Sequence, residues 1–115
     1  MTSLAPGAAV DAATLPLVHT ALPASEVALG SPTTGTVAVD ELAGVEVGVW
    51  EMTPGTASDT EADEVFVVLS GRALIEFTEP ALPSIEVGPG SLVRLAEGMR
   101  TVWTVTETLR KVYIA

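Results

Sequence analysis

No stretch between Gly35 and Ala115 offers an amphipathic helix of useful length, whereas short β-branched runs recur there, punctuated by glycine and proline. Val45, Val47 and Val49 alternate with Glu46 and Gly48, and Val65 to Leu69 is continuously apolar, as in a strand buried on both faces. Gly71 ends that run, and Arg72 to Phe77 resumes with Ala73, Ile75 and Phe77 on one side, which predicts a hairpin partner. Ile85 and Val87, Leu92 to Leu95, Thr101 to Thr106 and Leu109 to Ile114 add further strands, with Gly88-Pro89-Gly90 as a tight corner. Strands spaced in this way predict an all-β sandwich or barrel. A chain of 115 residues builds one such domain and buries enough apolar surface to fold without staples.

The first part of the chain reads differently. Pro6, Pro16, Pro23 and Pro32 recur too closely for a long helix, because each removes a donor and disfavours helix in the residue before it. Residues 1–35 are therefore expected as an arm, irregular at first, that packs on the barrel or on a partner, with 36–115 forming the barrel itself. His19, the single histidine, lies in this arm. One imidazole makes neither a triad nor a metal cage, so a structural or surface role is expected of it.

Charge removes several functions. Fifteen Asp and Glu face five Lys and Arg, a formal net charge of −10, and such a surface repels a phosphate backbone or an anionic bilayer. Neither nucleic acid nor membrane is expected as a partner. No apolar run approaches the roughly 20 residues that span a bilayer, and the Ala-rich N-terminus lacks the basic segment of a secretory signal. With no cysteine, there is no disulfide framework and no thiolate chemistry. A cytoplasmic protein is the expectation.

Candidate site residues cluster around Pro54 to Gly71. If the valines of 45–49 face the core, period two carries Glu51 inward and Trp50 outward, to solvent or a second subunit; a register break at Met52-Thr53-Pro54 would instead turn Glu51 to solvent. Thr56 to Asp63 reads as a polar loop in which Asp59, Glu61, Asp63 and Glu64 crowd together, either presenting oxygens to a hard cation or simply solvated. Thr101, Trp103 and Val105 share strand parity, as do Glu64, Phe66 and Val68. Their side chains either line an amphipathic pocket suited to a small polar or amine-bearing ligand or fill the barrel.

These residues fall into a frame that resembles the cupins, small double-stranded β-helix, or jelly-roll, barrels. The first cupin motif, G-x5-H-x-H-x3-4-E-x6-G, is matched in its second half by Glu64, six residues and Gly71. The second, G-x5-P-x-G-x2-H-x3-N, is matched in frame by Gly90, Ala96, Gly98 and Thr101, with its proline and histidine replaced. GVWEMTPG at Gly48 to Gly55, Trp103 and the closing LRKVYI resemble the subgroup that includes ureidoglycine aminohydrolase-like domains. The likeness implies a jelly-roll barrel from about Gly44 onward and a homodimer. In metal-dependent cupins, three histidines and the glutamate hold a divalent ion. Here the histidine positions fall on Ser58 and Thr60, or on Ala57 and Asp59, and on Thr101, so only Glu64 survives.

The resemblance thus implies a barrel without the usual histidine metal site and with no cofactor. Glu64 and Thr101 become the polar anchors of a small-molecule site, with Glu51, Ser58, Thr60, Phe66 and Trp103 as further ligand-binding candidates. Glu64 is the candidate acid or base should the protein be a hydrolase, isomerase or lyase. Alternatively it holds the rim, bonded to Thr60 or Thr101 or paired with Arg94 or Arg100. A non-catalytic structural or regulatory dimer is the third reading.

Overall fold

The computed structural model describes residues 4–115, and the first three residues of the N-terminal arm lie outside the described residues. Every regular element is a strand: β1 (His19–Ala21), β2 (Val27–Leu29), β3 (Thr33–Leu42), β4 (Val45–Met52), β5 (Gly55–Thr60), β6 (Glu64–Glu79), β7 (Ala81–Val87), β8 (Leu92–Leu95) and β9 (Arg100–Ile114). All pairings are antiparallel within one nine-stranded sheet that curls into a barrel, as the strand spacing and the jelly-roll likeness predict. Among the described residues no helix is long and apolar enough to cross a membrane.

Two long strands organise the rest. β6 and β9 run side by side for almost their whole length, from Val65 opposite Ile114 to Glu79 opposite Arg100. On its other edge β9 pairs with β4 through residues 109–114 and with β5 through residues 100–105. Phe66, Val68, Ile75, Leu95, Trp103, Val105 and Leu109 fill the interior.

Gly71 does not end a strand as its neighbours in sequence suggested. It sits inside β6 with φ near +90°, where the β6–β9 ladder slips its register, and the strand continues as one bent ribbon. A Cβ there would run into the backbone of Thr108, so the crossing of the two long strands requires glycine. The expected hairpin lies later, between β6 and β7 at Pro80.

The polar segment expected as a loop is largely strand. Residues 55–60 form β5 because the N-terminal half of β9 has an open edge, and pairing satisfies those backbone groups whatever the side chains prefer. The arm is also more regular than its prolines suggest, since β1 adds to β3 and β2 adds to β5. Its earlier part is tied to the barrel's outer surface: Leu4 N–H donates to the Val39 carbonyl, and Arg110 Nη1 donates to the carbonyls of Ala12 and Leu15; further on, Leu22 and Glu26 reach the cavity.

A candidate ligand pocket built on a buried lysine

Strand parity places the site. On β9, the bend after Val105 leaves Leu109, Lys111 and Tyr113 on the inner face, while Arg110 turns outward beneath the arm. Opposite them on β4, Trp50 pairs with Lys111 and Met52 with Leu109, so Gly48, Trp50 and Met52 face inward. Neither reading of Glu51 left open by the sequence, carried inward or turned to solvent by a register break, describes this strand. Glu51 points to the outer face, where Oε2 accepts from Arg110 Nε at 2.8 Å and Oε1 meets His19 Nε2 at 2.8 Å; Trp50 lines the pocket. The valine alternation misled because both faces of β4 are covered: Val49, on the side of Glu51, is as buried as any core residue.

Burial pulls the Glu51 carboxyl upward, but hydrogen bonds from Arg110 and His19 and their positive charge outweigh it, and the carboxyl is held below its ordinary range. His19 is thus structural, with Nδ1 bonded to the Thr33 hydroxyl at 2.8 Å. It lies on the opposite side of the wall from the cavity.

Inside, Lys111 is 5% exposed. Its Nζ donates to Glu64 Oε2 at 2.6 Å and lies 4.2 Å from the ring centre of Phe66, 4.6 Å from Trp50 and 4.9 Å from Trp103. A buried ammonium costs several kcal/mol to desolvate unless paired, and here one carboxylate and three aromatic faces share that task. Glu64 therefore does not bond Thr60 or Thr101, nor does it pair with Arg94 or Arg100. Those arginines reach Asp63 and Glu79 at the surface.

The buried hydroxyl of Thr101 instead serves Glu61. Its Oγ1 donates to Glu61 Oε2 at 2.6 Å, and the Trp103 indole N–H donates to the same oxygen at 3.0 Å. Glu61 is 7% exposed and was visible in the sequence only as one acid in a polar run. Tyr113 donates to Glu46 Oε2 at 2.6 Å; burial, followed by this acceptor, pushes its phenol well above the usual range. Gly48 makes room for that ring, since a Cβ there would collide with it.

Together these residues frame a cavity of about 250 Å³ whose walls include Trp50, Met52, Trp103, Glu61, Glu64 and Lys111. Of the residues singled out from sequence, Glu64, Ser58 and Trp103 line it, and so do Trp50, Asp59 and Glu61. Thr60 and Thr101 line an adjoining hollow, and Phe66 is buried beneath Lys111. Asp59 closes the acidic end. Desolvation, then repulsion from Glu61, raises its carboxyl to about 6. The residue as a whole retains exposed surface, so solvent trims the free energy attached to that shift.

A divalent transition ion of the kind the cupin likeness brings does not fit this donor set. The chain's one imidazole is on the outer face, the Glu64 carboxylate is occupied by an ammonium, and among the described residues no three His, Asp or Glu side chains converge as ligands. The acids of 59–64 likewise do not form a set that could hold an ion: Asp63 is exposed and accepts from the Glu97 amide and Arg94.

The curled antiparallel sheet is a cupin-like barrel, with its pocket on residues of β3, β4, β5 and β9. The chain belongs to the EutQ-like cupin domain family, which it matches over residues 39–113. Among solved structures, it is similar to a protein of unknown function from Pseudomonas syringae pv. tomato, at 24% identity and a TM-score of 0.76. That match covers 93% of this chain but only 46% of the Pseudomonas protein, so the chain spans about half its length. It is also similar to the EutQ protein of Clostridium difficile, at 21% identity and a TM-score of 0.61 over 72% of this chain and 67% of that one. A third likeness is to a putative ethanolamine utilization protein Q from Salmonella typhimurium, at 15% identity, a TM-score of 0.61, and 89% and 96% coverage. At these identities the likeness is one of fold. No curated protein matches the chain.

Proposed function

We propose that this EutQ-like cupin domain binds a small organic molecule in the cavity between Trp50, Trp103 and the Lys111–Glu64 pair. The observation that carries the reading is the convergence of buried, hydrogen-bonded charge on an open space of about 250 Å³, where a barrel serving only as a scaffold would be filled with apolar side chains. Charge so placed is costly to bury and gains nothing for a plain core. The finer likeness to ureidoglycine aminohydrolase-like domains is supported by the same place, since GVWEMTPG and LRKVYI supply Trp50, Lys111 and Tyr113.

A second reading, acid–base catalysis of hydrolysis, isomerisation or elimination, is favoured by one observation. Asp59 and Glu61 share the cavity wall, and burial, then repulsion from Glu61, raises Asp59 to about 6, a range suited to a general acid or base. In that reading Asp59 takes the role the sequence suggested for Glu64, which is engaged by Lys111.

The test uses the two tryptophans, the only ones in the chain, both of which line the cavity. In ¹⁵N-labelled protein each gives one indole N–H signal. Screening a fragment library should yield compounds that shift both signals, and Thr36→Trp, which places a bulky ring on the pocket wall opposite Trp50, should abolish those shifts. Binding that leaves both indoles unmoved would place the ligand elsewhere and end the reading.

A further inference from the structure

Four carboxylates face this cavity, those of Glu26, Asp59, Glu61 and Glu64, against a single ammonium, that of Lys111. Lys111 is already matched by Glu64 at 2.6 Å, so the remaining three acids leave the opposite end with negative charge in excess. Repulsion from Glu61 adds to burial in raising the Asp59 carboxyl, in keeping with that excess.

Glu61 shows where the missing positive charge belongs. Both of its donors, Thr101 Oγ1 and Trp103 Nε1, bond Oε2. No donor among the described residues reaches Oε1, and yet no fully buried polar side-chain atom lacks a partner, so Oε1 opens into the cavity. A carboxylate that is 7% exposed, with one oxygen held and the other presented to the cavity, is a preformed acceptor.

We propose that the ligand is a small organic ammonium ion whose N–H groups bond Glu61 Oε1 and the Asp59 carboxylate, with its apolar part against Trp50, Trp103 and Met52. This rests on the small-molecule reading of the pocket and names the class of molecule it takes. An organic anion would enter against four carboxylates. A neutral alcohol would satisfy Oε1 without offsetting its charge. A bare hard cation would want several converging oxygens, and among the described residues no three His, Asp or Glu side chains come close enough together to hold one. An ammonium ion needs only N–H···O bonds, and the apolar walls select an organic one.

The experiment titrates the full chain with three probes of matched shape, benzylamine, benzyl alcohol and benzoate, reading the two indole N–H signals. Trp103 reports directly, because its N–H is bonded to Glu61. Benzylamine is expected to bind at least tenfold tighter than benzyl alcohol, with benzoate weakest. Glu61→Gln should lower benzylamine affinity about tenfold to a hundredfold, the range for a bond to a charged group, and leave benzyl alcohol unchanged. If Glu61→Gln does not fold, Asp59→Asn at the exposed end provides the same comparison with a smaller loss. Equal or tighter binding of the alcohol or benzoate overturns the ammonium proposal while the pocket stands. If no probe moves either indole, the pocket reading and this proposal fall together.

Discussion

Replacing Lys111 by methionine tests the centre of the structure most sharply. The substitution keeps an unbranched apolar stem among Phe66, Trp50 and Trp103 but removes the ammonium that answers Glu64. The Glu64 side chain is 14% exposed, so its carboxylate is left largely buried without a partner, a loss of about 3–5 kcal/mol. Losing the cation over three rings adds about 1–2 kcal/mol, and sulfur–aromatic contacts from methionine return about 1 kcal/mol. The expected net loss is thus about 3–6 kcal/mol, roughly a 12–24 °C fall in melting temperature for a domain of this size. Glu64→Gln keeps the ammonium over its aromatic faces and an amide oxygen as acceptor, and should lose only about 1–3 kcal/mol. The double variant, in which no unmatched charge remains, should recover part of the Lys111→Met deficit. Urea denaturation of the three variants measures all three quantities. A Lys111→Met protein within about 1 kcal/mol of the parent, or a double variant no more stable than Lys111→Met, would refute the claim that charge pairing organises this site.

Other consequences attach to single residues. Gly71→Ala combines a φ near +90° with collision against the Thr108 backbone and should destabilise by about 3 kcal/mol or more, seen as a fall in the urea midpoint. Glu51, held below its ordinary range by Arg110 and His19, contributes stability that is complete above about pH 4.5 and is lost as pH falls through its lowered folded value. The parent should therefore lose stability between about pH 5 and 3 more steeply than Glu51→Gln, and parallel curves would show the pairing to be inert. Asp59 carries the opposite sign. Its folded value is raised, so the native state binds the extra proton and stability declines as pH rises from about 4 to about 6. The carbon-detected titration of its side chain should have its midpoint near 6, and a midpoint near 4 would mean that neither burial nor the neighbouring Glu61 acts on it.

The strands themselves were legible in the order of residues. β-Branched runs closed by glycine and proline, without a helical period, are enough for an all-β barrel, and the Glu64-to-Gly71 spacing carried the cupin frame. Besides Gly71, which lies inside β6 and does not close it, two local signals misled for the same physical reason. Alternation identifies the inner face only when the outer face meets water, and here the arm covers the outside of β4, so Val49 and Glu51 are sheltered as well. Polarity identifies a loop only when the backbone has no better partner, and the open edge of β9 drew residues 55–60 into the sheet. Glu64, Ser58 and Trp103 could be picked from motif and parity, because those follow from period two along one strand. Lys111 and Glu61 could not. Their roles depend on which strands cross β9 and where Gly71 lets β6 bend, and such pairings join residues 40 or more positions apart. Composition and periodicity thus determined the class of architecture, because backbone hydrogen bonding and apolar burial act through local pattern. Only the tertiary structure decided which carboxylate meets an ammonium and which keeps an oxygen open to the cavity, because electrostatics acts through space, between groups that the chain brings together only on closing the barrel.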